Sequence, residues 1–494
     1  MIAVLSRVSV VLFRFALLAV LTGSLAAAQV GGPTTRGALF KGTVVISNVN
    51  VVAMTSEKVL RNAAVLIRDG RIERVVPGSR LRAPRGARHI DGAGGYLIPG
   101  LGDMHTHLYA DGTLPEAVAP AELGVMLANG VTTIRLMGGN PHQLRLRGQV
   151  ARGEVLGPQL WVSGPYLANK AGDGVRVIAS VEDARLAVRE VVAAGYDFVK
   201  ITFGITGATY DALVDEARAA RIRVVGHVEP AVGVRRALAA GQQIEHLDAY
   251  FEGALSDAAP MQESVTQYGV YRPANWVSLD HIDDKKLTEL AVATARAGVW
   301  SGPTLEMFNR AFGDPFTDDE LKALPDWELI PEKIKAPYMR SRQRYWAQPI
   351  PRETRQRYAV IRNTLVKRIH DAGGKILAGS DGPDLLMVYG YGLHRELQAL
   401  VKAGLTPYQA LATATSNVAE FLGGTQDFGT IQPKRRADLV LIKGNPLDDI
   451  RNTQNIEGVM IGGRWLAKDE LGKMIAAAKV AINPPPAAGN AAGK

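Results

Sequence analysis

Five residues of metal-binding type and one lysine are placed in this sequence where they could build a metal site. His105 and His107 close the run Leu97-Ile98-Pro99-Gly100-Leu101-Gly102-Asp103-Met104-His105-Thr106-His107. Side chains two apart on a strand share a face, so both imidazoles should project together from the end of this apolar segment. Neutral imidazoles held that way suit a divalent ion of the zinc type. Lys200 lies inside Asp197-Phe198-Val199-Lys200-Ile201-Thr202, and His227 ends Ile222-Arg223-Val224-Val225-Gly226-His227. His246 ends Gln243-Ile244-Glu245-His246, and Asp381 ends Lys375-Ile376-Leu377-Ala378-Gly379-Ser380-Asp381. Each histidine alone is more often structural than a ligand, and Asp381 alone could cap a helix before Gly382-Pro383. What sets them apart is the order His-x-His, Lys, His, His, Asp, each at an apolar, strand-like run.

Those runs need a scaffold that brings many strand ends together. We place strands near Tyr96, Val131, Gln159, Asp197, Ile222, Gln243, Val299 and Lys375, with helices between them. Val181–Ala194 and Tyr210–Ala220 carry apolar residues at helical spacing. Strands alternating with helices argue for a parallel sheet, and functional residues at many strand ends are what a (β/α)8 TIM barrel supplies. Before and after this core, from Gly42 to Gly95 and from Ala437 to Trp465, short β-like runs alternate with turns. The expected fold is α/β: a (β/α)8 TIM barrel with a small β-sandwich domain formed from both chain ends. The expected divisions are 1–28 signal peptide, 29–96 and 425–475 sandwich, 97–424 barrel, and 476–494 a disordered tail rich in Ala, Pro and Gly. Residues 308–358, charged and aromatic, follow strand seven as an insertion, either a lid over the barrel mouth or an interface between subunits.

Composition bounds the function. The chain has 494 residues, 47% hydrophobic and 21% charged, a soluble globular balance. A net charge of +9 is spread without a long basic block, which speaks against a nucleic-acid partner. Arg7 and Arg14, the apolar stretch Phe15 to Leu25 and Ala26-Ala27-Ala28 read as a cleavable signal peptide, too short to span a membrane. The expected location is periplasmic or secreted, with no stable membrane insertion after cleavage. Zero cysteines rule out disulfides and thiolate ligands.

The ordered ligand set resembles the amidohydrolase superfamily, in its imidazolonepropionase-like and prolidase-like branch of binuclear metal-dependent hydrolases. Further text carries the likeness: Gly130-Val131-Thr132-Thr133-Ile134-Arg135, Ile244-Glu245-His246, Gly404-Leu405-Thr406-Pro407, Ala410-Leu411-Ala412-Thr413-Ala414-Thr415, Gly429-Thr430-Ile431 and Ala437-Asp438-Leu439-Val440. It runs from about Gly42 to about Ala467. The resemblance implies two divalent ions, zinc being the expected metal. His105, His107 and Asp381 would hold the more buried ion, His227 and His246 the more exposed one. Lys200 would bridge them as a carbamate, formed when its amine takes up carbon dioxide.

The implied reaction is attack of a metal-bridging hydroxide on an amide carbonyl, with Asp381 moving the proton to the leaving nitrogen. The expected substrate is a small-molecule amide, peptide-like or N-acyl amino acid. The alternatives are a lactone or phosphotriester hydrolase on the same metals, or a metal-binding protein without turnover. The branch often carries Gly-Gly-His after strand three. Here Tyr166-Leu167-Ala168-Asn169-Lys170 stands there, and Glu229 follows His227 closely, so substrate identity does not carry over. Candidate pocket residues are His142, Tyr166, Lys170, Glu229 and Tyr250. A homo-oligomer is expected.

Overall fold

A computed structural model describes residues 37–260, 273–313 and 316–485. The expected signal peptide and the tail from 486 onward lie outside the described residues.

Strands from both ends of the chain form one eight-stranded, mostly antiparallel sheet. Thr43–Val52, Val59–Arg68 and Arg71–Pro77 make a meander. Tyr96–Pro99 runs parallel to the first of these and antiparallel to Leu439–Ile442, which continues into Ile456–Ile461 and Arg464–Ala467. Alternate residues, among them Val44, Ile46, Val65, Ile67, Leu439 and Leu441, share a core with Met460 and Trp465. This is the small sandwich expected from two β-rich flanks.

The barrel strands are β1 (Leu101–Thr106), β2 (Val131–Leu136), β3 (Gln159–Ala168), β4 (Phe198–Ile201), β5 (Arg223–Gly226), β6 (Gln243–Glu245), β7 (Trp300–Gly302) and β8 (Lys375–Ile376). They pair side by side in chain order, all parallel. The residues after β8 close the ring on β1. The Met104 amide donates to the Ala378 carbonyl, Asp381 to His105, and His107 to Gly382. Barrel closure thus runs through the segments that carry three of the expected ligands. Crossover helices form for visible reasons. Val181–Ala193 buries Ala184, Ala187, Val188 and Val191 on one stripe, and the Ser180 hydroxyl caps it by accepting from the Asp183 amide. The helix Ser416–Phe421 plugs the lower end of the barrel, where Val418 and Phe421 share a core with Met104, Trp161, Phe198 and Leu377.

Two expectations need correction. The run from Leu97 to His107 is two strands in two sheets. The break is at Gly100, whose amide donates to the Asp438 carbonyl, while the Leu101 amide donates to Gly130. Apolar residues on both sides of the break hid it, because both strands are buried; the barrel therefore starts at Leu101 and the Tyr96 segment belongs to the small sheet. The tail is also ordered beyond 476. Lys468–Ile482 is a helix that packs on Ala119–Ala128 and buries Leu471, Ala478 and Ile482. Its alanines are strong helix formers, not a sign of disorder.

The two sheets are joined through Asp438, itself one member of a buried ion pair. Asp438 accepts from Arg436 Nε at 3.0 Å, from Gln159 Nε2 of β3 at 3.0 Å and from the Gly462 amide at 2.6 Å. Arg436 also donates to the Gly37 carbonyl at 3.0 Å. Removing one member of such a pair typically costs about 3–5 kcal/mol. Asp438→Ala is therefore expected to lower stability by several kcal/mol in a denaturant titration. A loss below about 1 kcal/mol, the range of an exposed pair, would show that this contact does not join the two parts.

Candidate metal centre

At the C-terminal end of the barrel the six expected residues converge. The Nε2 atoms of His105 and His107 each lie 3.3 Å from Asp381 Oδ1, so one strand face does present both imidazoles to the carboxylate. Ligand atoms of these three residues fall within 4.8 Å of one another, which suits a single ion. The His246 ring lies 4.6 Å from that of His105 and 4.7 Å from that of His227. Lys200 reaches the same cluster from β4.

Each imidazole is held through its Nδ1, the usual way a metal-bound histidine is oriented. His105 Nδ1 lies 2.9 Å from Glu245 Oε2, and His227 Nδ1 lies 2.8 Å from Asp248 Oδ2. His246 Nδ1 lies 2.7 Å from Thr304 Oγ1, whose own proton goes to the Pro303 carbonyl, so the ring is the donor. His107 Nδ1 lies 3.1 Å from the Tyr166 hydroxyl. Burial holds His105 and His246 well below the usual imidazole range, so both are neutral and ready to ligate. Burial alone would raise the Asp381 carboxyl, but the neighbouring His105, His107 and Lys200 bring it down to about 2.

Lys200 is 0% exposed, and its amine has no hydrogen-bond partner among the described residues. Burial lowers its pKa to about 8, against the attraction of Glu245 and Asp381. A buried ammonium without an acceptor is costly, whereas a neutral amine is the form that adds to carbon dioxide. The donor set therefore fits a pair of divalent ions: four imidazoles, an ionised carboxylate and an amine with unmet bonding capacity. The backbone makes room for it. A Cβ on Gly226, which has φ +122°, would stand 2.2 Å from the Ile201 carbonyl and 3.0 Å from Lys200 Cδ. A Cβ on Gly302 would stand 2.1 Å from Glu245 Oε2.

A cavity of about 330 Å³ opens beside His107. Tyr166 lines it, as expected. The other pocket candidates do not line this cavity. Lys170 is exposed on the loop after β3. Glu229 is buried, but its carboxylate accepts the Gly204 amide and so braces the loop after β4. Tyr250 lies behind the barrel wall, its hydroxyl 2.6 Å from Thr294 Oγ1 on the next helix. His142 is half-buried at the start of the helix Pro141–Ala151 and does not line the cavity, although Asn140 does.

The 308–358 insertion forms the outer wall. Ile334 and Tyr338 of the helix Glu332–Trp346 line the cavity, and Lys333 of that helix donates to the Thr113 carbonyl across it. Phe308 packs 5.0 Å from the His246 ring. The helix start is held from below by the C-terminal helix. Asn483 accepts from the Glu332 amide at 2.9 Å and donates to the Glu328 and Ile330 carbonyls at 2.9 Å and 3.0 Å.

Sequence reasoning missed Arg135, Glu245, Asp103, Asp248, Thr304 and Asp384. Arg135 donates to Glu245 Oε1 at 2.5 Å, to Gln243 Oε1 at 2.7 Å and to the Met104 carbonyl at 2.6 Å. Asp103 takes both the amide and the hydroxyl of Ser380, at 2.9 Å and 2.6 Å, which fixes the strand end that presents Asp381. Burial pushes Asp103 up to about 6 despite these bonds. Asp384 lines the cavity three residues after Asp381.

Comparison with known proteins agrees with this geometry. The family model described as Amidohydrolase family matches residues 96–466. The chain is 26% identical over 407 residues to an adenine deaminase of Chelativorans sp. (strain BNC1), covering 81% of this chain and 54% of that protein. It thus spans about half the length of that curated relative. A protein from Bifidobacterium longum assigned as a prolidase is similar in structure, with a TM-score of 0.63 and 25% identity over 89% of this chain and 99% of that one. Bottromycin amidohydrolase, at 22% identity, shares the fold with a TM-score of 0.68 over 93% of this chain and 94% of that one.

The Nδ1 partners give a direct test. Loss of a group that orients a metal-bound histidine typically costs about 10–100-fold in metal affinity. Glu245→Gln and, separately, Thr304→Val are expected to weaken metal binding by about that factor in a chelator competition. Folded variants with unchanged affinity would show that these contacts do not orient His105 and His246.

Proposed function

The chain belongs to the amidohydrolase family, and on that premise we propose that it is an exported, binuclear metal-dependent hydrolase of an amide bond, peptide-like or N-acyl amino acid. His105, His107 and Asp381 would hold one divalent ion and His227 and His246 a second, with a carbamate on Lys200 to bridge them and zinc as the metal. The observation that carries this reading is the Lys200 amine, buried and unpartnered within reach of four histidines and an aspartate. A lysine with no role in ligation would extend to water or find an acceptor. Export is supported by Arg7, Arg14, the following apolar stretch and Ala26-Ala27-Ala28.

Bound there, two divalent ions supply Lewis acidity toward a carbonyl oxygen and a water of lowered pKa. The chain's own groups do the rest. Glu245, Asp248 and Thr304 each hold one imidazole through its Nδ1, so the rings do not turn. Asp381, with Oδ1 facing the His105–His107 pair and Oδ2 3.7 Å from His246 Nδ1, takes the proton of the attacking water and passes it to the leaving nitrogen. The carboxyl held at about 2 starts ionised at neutral pH, as a base must. Tyr338 and Ile334 cover the cavity and reduce access of bulk water.

Elemental analysis of the full chain is expected to find two divalent ions per chain. One ion per chain, unchanged after adding zinc and bicarbonate, would overturn the binuclear reading. Asp381→Asn is expected to lower turnover by about 10²–10⁴-fold with the fold intact, while wild-type turnover would remove Asp381 from the reaction. Lys200→Ala is expected to lose activity and to regain part of it with a small carboxylic acid; a near-normal rate and metal content would exclude the bridge. A panel of dipeptides and N-acyl amino acids, with a lactone, a phosphotriester and adenine as other arms, is expected to show turnover of an amide. Turnover of another arm alone would replace the amide assignment.

A further inference from the structure

The cavity beside His107 has an uneven chemistry. Asp111, Asp173 and Asp384 line it with the tyrosines Tyr109, Tyr166 and Tyr338, and among the described residues no lysine or arginine does. The chain as a whole carries +9, so this local excess of carboxylates runs against the molecule's own balance. None of the three carboxylates makes an ion pair among the described residues. Asp111 accepts only from neutral groups, the Asn140 amide nitrogen at 3.2 Å, the Gln143 amide nitrogen at 2.5 Å and the Leu108 backbone amide at 3.2 Å. Neither Asp384 nor Asp173 has a side-chain ion pair or hydrogen bond among the described residues. Lys333, at the rim, gives its ammonium to a backbone carbonyl instead.

Resting on the amide-hydrolase reading, we infer that this cavity seats a cationic group of the substrate, an ammonium or a guanidinium. Three carboxylates make an anionic wall, and aromatic faces attract cations through their ring quadrupoles. The acidic residues line the space that opens on the ligand His107, so they act on whatever the metal centre processes. Asp173 and Asp384 lie on its solvent-accessible side, so the cation sits toward the rim, away from the positive charge that metal ions add at the floor. The same wall repels a substrate carboxylate placed there. Two sources supply such a cation: a basic side chain or amine on the leaving side, and a free amino group on the acyl side.

Matched amides with one scissile bond decide the matter. In one set the acyl side ends in ammonium, methyl or carboxylate; in the other the amine side does. With the metal-loaded full chain, kcat/KM in one set is expected to be about tenfold or more higher for the ammonium member than for the methyl member, with the carboxylate member lowest. The set showing the preference identifies the source. The preference is expected to shrink at high salt and to fall about fivefold in Asp384→Asn, with Asp173→Asn as a second, surface variant. Equal rates across both sets, or preference for the carboxylate, would overturn the inference. If no amide is turned over, the amide reading fails on its own, and calorimetry of the same compounds with metal-loaded Asp381→Asn still decides the cation site. Tighter binding of the ammonium member supports it, and equal binding refutes it.

Discussion

The histidine–aspartate cluster depends on a charge buried where water cannot reach it. Arg135 is 0% exposed inside the barrel, and its guanidinium lies 5.2 Å from the Phe421 ring of the lower plug and 5.5 Å from that of Phe198. Burying it costs several kcal/mol unless its donors are met, and Glu245 supplies the only carboxylate that bonds it among the described residues. Glu245 in turn spends its other oxygen on His105. The orientation of the first metal ligand is thus tied to the packing at the opposite end of the barrel. It holds only when β1, β2 and β6 are in register, because the three residues come from those three strands. Gly302 has no side chain for the same reason: a Cβ there would occupy the place of the Glu245 carboxylate.

Much of this was legible in the chain. The two-residue period of a strand placed His105 and His107 on one face, and the alternation of apolar runs with helical segments pointed to the barrel. Glu245 was not legible, because it immediately precedes His246 and alternation sends neighbours to opposite faces. The backbone breaks that rule: His246 has φ 60°, in the left-handed region, so both side chains reach the interior. Asp381 and Thr304, with φ 55° and 43°, show the same departure at the ends of β8 and β7. Residues of ordinary type in strained conformations leave no mark in the sequence pattern. Tyr250 misled for a related reason. A tyrosine four residues after a ligand is close in sequence, but the turn after β6 carries it behind the wall, against Thr294.

The insertion after β7 was visible as a change in composition, though its fold was not. Aromatic residues spaced without a period gave no helix phase, yet Phe308, Phe312, Tyr345 and Tyr358 form one connected stack leading away from His246. The helix Glu332–Trp346 is polar by composition and buries none of its residues fully, so it sits as a wall over the cavity and not as part of the core.

The clasp made by Asn483 gives the end of the chain a part in substrate entry. This one side chain meets the Glu332 amide and two carbonyls just ahead of the wall helix, and it stands at the last turn of the C-terminal helix. A purification handle joined after Ile482, or a truncation that trims the helix, therefore pulls on the doorway rather than on a passive surface. Kinetic comparisons between preparations that keep and that lose the Asn483 clasp would be comparing different doorways.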